Sequence, residues 1–300
     1  MTNENAPAVR SYLGWANSGR ASFWRYTVGI AIAGVLLLLL GGLVLIIPFA
    51  MLVPDYGESL SGRLMAMLLT FVVPFAATPL IVWLMHKRPW WSVAMPELRF
   101  RLWDFLTGVW VALVVSVLTT VGLSVVGLLP VEGNPEFNIP TLLVVSALGL
   151  VGIFIQASAE ELFFRGYLTQ FVRRFTANKI LFLGIPALLF AAPHVLNIAS
   201  LGGGPLALAP YFVSGLLYGW AAYQSGSLWM AVALHFVNNY TGLVLVGTRG
   251  DVLPSAAPLV IESPSLVTGT LAVFLQSLLI FVVLSYLIKR RVETLSQAHQ

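Results

Sequence analysis

The chain has 300 residues, 58% of them hydrophobic and 9% charged, with a formal net charge of +4 and no cysteine. An ordinary soluble domain carries about 25% charged residues, so the composition excludes a soluble globular protein and defines a polytopic membrane protein. The missing cysteines exclude disulfides, thiolate ligands and cysteine nucleophiles.

In chain order, residues 1–25 form a polar segment. Apolar runs follow at 26–53, 64–86, 104–130, 141–163, 180–198, 206–224, 228–247 and 266–288, each near the ~20 residues a transmembrane helix needs. The first run is too long for a signal-peptide core and reads as a retained span. The expected fold is all-α: a bundle of about eight transmembrane helices in one domain over 26–288, its catalytic core at 141–247, with a basic tail at 289–300. The stretch Pro89–Trp103 mixes aromatics with arginines as interfacial segments do, and Trp90, Trp91, Trp103 and Trp110 read as interfacial anchors or packing. Residues 131–140 and 249–265 are Pro- and acid-containing loops.

With eight spans, Arg10, Arg20, Arg25, Lys87, Arg88, Arg99, Arg101, Arg173, Arg174, Lys179, Lys289, Arg290 and Arg291 fall on one side, against Arg63 and Arg249 on the other. The positive-inside rule then makes both termini and the 164–179 connection cytoplasmic. This bias accounts for the basic excess, so no nucleic-acid partner is implied.

Glu160 and Glu161 lie together in the apolar run TLLVVSALGLVGIFIQASAEELFF, where an ionised carboxylate costs several kcal/mol, roughly, on insertion scales. Arg165 follows one turn later, and His194 and His235 lie in two further apolar runs. Successive helical residues point 100° apart, so the two glutamates have different neighbours. Glu161 and Arg165, spaced i,i+4, pair on one face and offset much of each other's desolvation. Glu160 has no basic residue at that spacing and needs a donor from another helix. A hairpin centred on Ala177 would set Glu160 and His194 at equal depth. Pro193 removes a backbone donor and frees the carbonyl of Leu189, which bends the helix beside His194. Phe190 lies one turn before, where its ring would wall the site. His235 and Asn239, again i,i+4, offer donors on one stripe that suit the oxyanion of amide hydrolysis, and Asn238 is turned away. Alone, an intramembrane histidine or asparagine commonly just glues helices; the combination argues one buried site.

Written as patterns, the chain reads Glu160-Glu161-x-x-x-Arg165, Phe190-x-x-x-His194 and His235-x-x-x-Asn239. Over residues 155–240 this set resembles the CPBP family of CAAX proteases and bacteriocin-processing enzymes, also called Abi, which are intramembrane endopeptidases related to type II CAAX prenyl proteases. The resemblance implies that Glu160 and His194 activate water, that His235 and Asn239 stabilise the oxyanion, and that Glu161 and Arg165 support them. No resident metal is favoured, because HExxH is absent; the alternative is zinc on Glu160, His194 and His235. The expected partner is a membrane-associated peptide or protein, prenylated in some relatives, met from the lipid bilayer. The expected location is a bacterial plasma membrane with the site toward the cytoplasmic side. A proton-coupled transporter using the same acids and histidines and a non-catalytic immunity or scaffold protein are the competing classes, and the oligomeric state is left open.

Overall fold

The computed structural model describes residues 11–195, 204–250, 255–262 and 265–297. Parts of the expected 180–198 span and of the 249–265 loop, together with both chain ends, lie outside them. Helices α1 (Phe23–Leu52), α2 (Leu60–His86), α3 (Leu102–Val125) and α4 (Ile139–Arg173) are each long and apolar enough to cross a membrane. So is α8 (Leu266–Gln297). Three shorter helices complete the bundle: α5 (Lys179–His194), α6 (Ala209–Ser225) and α7 (Trp229–Val244). Thus five of the eight expected spans have the length. The 17 residues of α6 rise only ~25 Å at 1.5 Å per residue, short of the ~30 Å hydrocarbon core. Gly226, at φ +73°, ends α6 in a left-handed turn that glycine adopts freely.

α7 is the hub of the bundle, packed against α3, α4 and α6, while α4 also packs on α2, and α5 lies along α6. The two flanking helices bury little: 6% of the most apolar stretch of α1 and 17% of that of α8, against 39% in α2 and α4. Their apolar surfaces belong to lipid. α1 touches the bundle through a buried stripe, Tyr26, Gly29 and Ala33. A Cβ on Gly29 would collide with the Tyr167 hydroxyl and come within 2.9 Å of Ile81 Cγ2. Gly29→Ala is therefore expected to destabilise by about 1–3 kcal/mol through overpacking, measured as a lower melting temperature in detergent.

α4 runs ten residues beyond the expected 141–163 span. The expected 164–179 connection shrinks to residues 174–178, since the helix runs on to Arg173 and every residue from Glu161 to Gln170 is buried. The reason is that Phe163, Phe164, Tyr167 and Leu168 extend the apolar surface, and Arg165 is carried inside by an acidic partner.

The polar N-terminal segment is also docked in part. Tyr12–Asn17 forms a 3-10 turn with Tyr12 and Ala16 buried. Tyr12 donates its N–H to Gly226 O (3.0 Å) and accepts from Gln170 Nε2 (2.9 Å). Arg88, itself buried, donates to Trp15 O, to Tyr26 Oη and to Gln170 Oε1. Burial raises the Tyr12 phenol pKa above its ordinary range; the charge of Glu161 adds to this and that of Arg165 opposes it. This strap places the N-terminal turn directly over the end of α4.

The all-α expectation holds except for one small sheet. Strands β1 (Val131–Gly133), β2 (Val246–Thr248) and β3 (Leu259–Ile261) lie in the order β1-β3-β2, antiparallel then parallel. Beside it Arg249 Nε lies 2.6 Å from both Glu262 oxygens. The hydrogen bond from Arg249 holds the Glu262 carboxyl below its ordinary pKa. A depressed carboxyl stabilises the fold above its unfolded pKa and loses that contribution as pH falls through the folded value. The melting-temperature gap between the wild type and Arg249→Gln should accordingly be present at neutral pH and close below the ordinary glutamate range of ~4.3.

Candidate active site

α4 sets the two carboxylates. It remains α-helical to Glu161 and then widens into a π-helical segment, Leu162–Leu168, in which Thr169 Oγ1 donates to Phe164 O at 2.9 Å. Such widened turns gather at functional sites. Within it Arg165 turns back to Glu161, with Nη1 2.8 Å from Oε1. Both are fully buried, at 1% and 0% exposure.

α7 supplies the link between the two acids. His235 Nδ1 lies 2.9 Å from Glu161 Oε1, and Nε2 lies 3.4 Å from Glu160 Oε2. One imidazole thus bridges both acids. Glu160 is the more open acid, at 12% side-chain exposure against 0% for Glu161. Among the described residues Glu161 Oε2 and Arg165 Nε and Nη2 have no partner, so the pair retains unused bonding capacity. Aromatic rings enclose the cluster. Arg165 sits 4.1 Å above Phe190, Phe190 meets His235 edge-on at 5.7 Å, and Tyr218 stacks on His235 at 5.1 Å and 20°.

α5 brings His194. The helix tightens to a 3-10 turn at Ala192–His194, where Pro193 interrupts the α ladder. His194 Nδ1 lies 3.0 Å from the Phe190 carbonyl, and its ring stacks on Tyr211 at 3.9 Å. A bond to that carbonyl keeps the proton on Nδ1 and leaves Nε2 as an acceptor. The connection 174–178 centres the hairpin one residue from the expected Ala177. Asn239, on the same helix as His235, donates Nδ2 to Gln156 Oε1 at 2.8 Å and accepts from Asn238 at 3.1 Å.

Glu160, Glu161, Arg165, Phe190 and His235 are therefore joined by direct contacts, His194 adjoins through Phe190, and Asn239 sits one turn beyond His235. Sequence reasoning missed Gln156, Tyr211 and Tyr218. Gln156 was legible, being four residues before Glu160 on the same face of an apolar helix; the two tyrosines carry no spacing signal. Among the described residues no three His, Asp or Glu side chains gather as a metal-binding group.

An apolar cavity of about 340 Å³ lies between α2, the turn that follows it, α4 and the start of α7. Phe75 and Pro79 of α2, Trp90 and Met95 of the following turn, and Phe154 and Leu162 of α4 line it. It begins within one residue of Glu161 along α4.

A helical bundle with five helices long and apolar enough to cross a membrane, holding two acids, two histidines and a guanidinium among its helices, has the makeup of an integral membrane protein with a polar cluster inside it. Residues 139–241 match the family described as type II CAAX prenyl endopeptidase Rce1-like. The chain is also 28% identical over 231 residues to the uncharacterized protein YyaK of Bacillus subtilis (strain 168), across 74% of this chain and 77% of that protein. No solved structure matches it.

Proposed function

We propose that the protein is an intramembrane endopeptidase acting on a membrane-associated protein or peptide, with Glu160 as general base. The observation that carries this reading is the bridged pair: a fully buried Glu161 neutralised by Arg165, and a more open Glu160 held by the same His235. Glu160 takes a proton from water while His194 Nε2 accepts the other hydrogen bond and aligns the oxygen. The water oxygen bonds to the scissile carbonyl carbon and the carbonyl electrons move to its oxygen. Asn239, oriented by Gln156, donates to that oxyanion, and His235 Nε2 joins it by leaving Glu160 once that carboxyl has taken its proton. Collapse of the intermediate breaks the C–N bond, and the proton on Glu160 passes to the departing amine. Glu161 and Arg165 hold His235 and take no part in bond making. No metal enters these steps.

The apolar cavity supports a substrate that carries a lipid chain, since its wall offers little besides hydrocarbon and aromatic surface. Ala76→Trp, which fills part of that wall, is expected to raise KM about tenfold with kcat unchanged, the pattern of lost uniform binding. Comparing membrane peptidomes of cells making the wild type or Glu160→Gln tests the whole reading. Products missing only with the variant support it, and identical products in both refute it.

A further inference from the structure

Helices α3, α6, α7 and α8 meet at a second and far smaller cavity. About 10 Å³ of it is open to a water molecule, which is room for one. Its wall is polar for the middle of a membrane bundle: Ser116 from α3, Ser214 and Tyr218 from α6, Asn238 from α7, and Gln276 and Ser277 from α8. Ser116 is only 8% exposed, and its hydroxyl has no partner among the described residues. An unpaired hydroxyl is strongly unfavourable where no bulk water reaches. Tyr218 forms the partition between this cavity and the acid cluster. Tyr218 lines this cavity together with Ser214, and its ring stacks on His235.

We propose that this cavity binds a single water molecule, which satisfies Ser116 Oγ together with polar groups of α7 and α8 and thereby fixes Tyr218 against His235. The available space excludes a larger guest. Every polar group in the wall is neutral, so a bare cation would stand uncompensated in low dielectric, whereas water can donate and accept at once. On this view Tyr218 is a positioning residue. It acts through the ring plane of His235, on which the geometry of both glutamates depends.

The occupancy half stands apart from the peptidase reading, and the kinetic half rests on it. A high-resolution structure of the full chain in lipid nanodiscs is expected to show an ordered water within hydrogen-bond reach of Ser116 Oγ, lost in Ser116→Val. An empty cavity, or one filled by an acyl chain, overturns the proposal. On a cleaved peptide, Ser116→Val and Gln276→Leu are expected to lower kcat about tenfold with KM unchanged, and Ser116→Thr to restore it. Unchanged kcat in both variants overturns the positioning role. So does a loss that tracks thermal stability and is not restored by threonine. If Ser116→Val fails to fold, the wild-type density and Gln276→Leu carry the test. Should Glu160→Gln cleave as the wild type does, the peptidase reading fails while the occupancy result still stands.

Discussion

Glu160→Gln is expected to slow peptide-bond hydrolysis by about 10²–10⁴-fold, the range for a positioned general base, while the protein keeps its fold. The amide has the shape of the carboxylate and can still hydrogen-bond His235, whose stronger contact is the 2.9 Å one to Glu161. What it lacks is a basic oxygen for the proton of water. The measurement is single-turnover cleavage of a lipidated peptide in nanodiscs, with thermal melting in parallel. A variant that melts as the wild type does and still cleaves at full rate would remove Glu160 from catalysis and with it the mechanism proposed above.

The second large effect concerns stability. Arg165→Leu leaves Glu161 buried at 0% exposure without its cation, and a buried charge stripped of its partner costs about 3–5 kcal/mol. The loss includes the stacking of the guanidinium on Phe190. Removing both charges together should be far milder, because an ion pair in a low-dielectric interior recovers little more than its own desolvation. Glu161→Gln/Arg165→Met is accordingly expected to melt closer to the wild type than Arg165→Leu does, a non-additivity read from a double-mutant cycle. Additive losses would show that the two side chains act independently.

These residues show what the sequence discloses and why. The i,i+4 spacing of Glu161 and Arg165 was enough to pair them, because a helix permits few other geometries at that distance. Five of the helices were visible from apolar length alone. The partner of Glu160 was harder: depth matching pointed to His194, yet the ring that reaches the carboxylate belongs to His235, since a hairpin rule sets depth and says nothing about rotation around the axis. The docking of Tyr12 was illegible for a different reason. Its bonds run to the Gly226 carbonyl and to Gln170, groups more than 150 residues away that no local pattern connects. The burial of 164–170 was hidden because the apolar run was ended at 163, although Phe164, Tyr167 and Leu168 carry its buried face onward.

The widened turn at Leu162–Leu168 amounts to one extra residue threaded into an otherwise regular rod. Excising a single residue there would return the rod to ordinary winding and swing everything after it by ~100° while drawing it 1.5 Å closer. Glu160 and Glu161, lying upstream, would keep their station, but Gln170 would swing out of reach of the Tyr12 carbonyl and the anchored N-terminal turn would be cast loose. The insertion therefore works as a phase shifter: it lets one continuous helix face its acids toward the centre of the molecule and its glutamine toward the chain's own beginning.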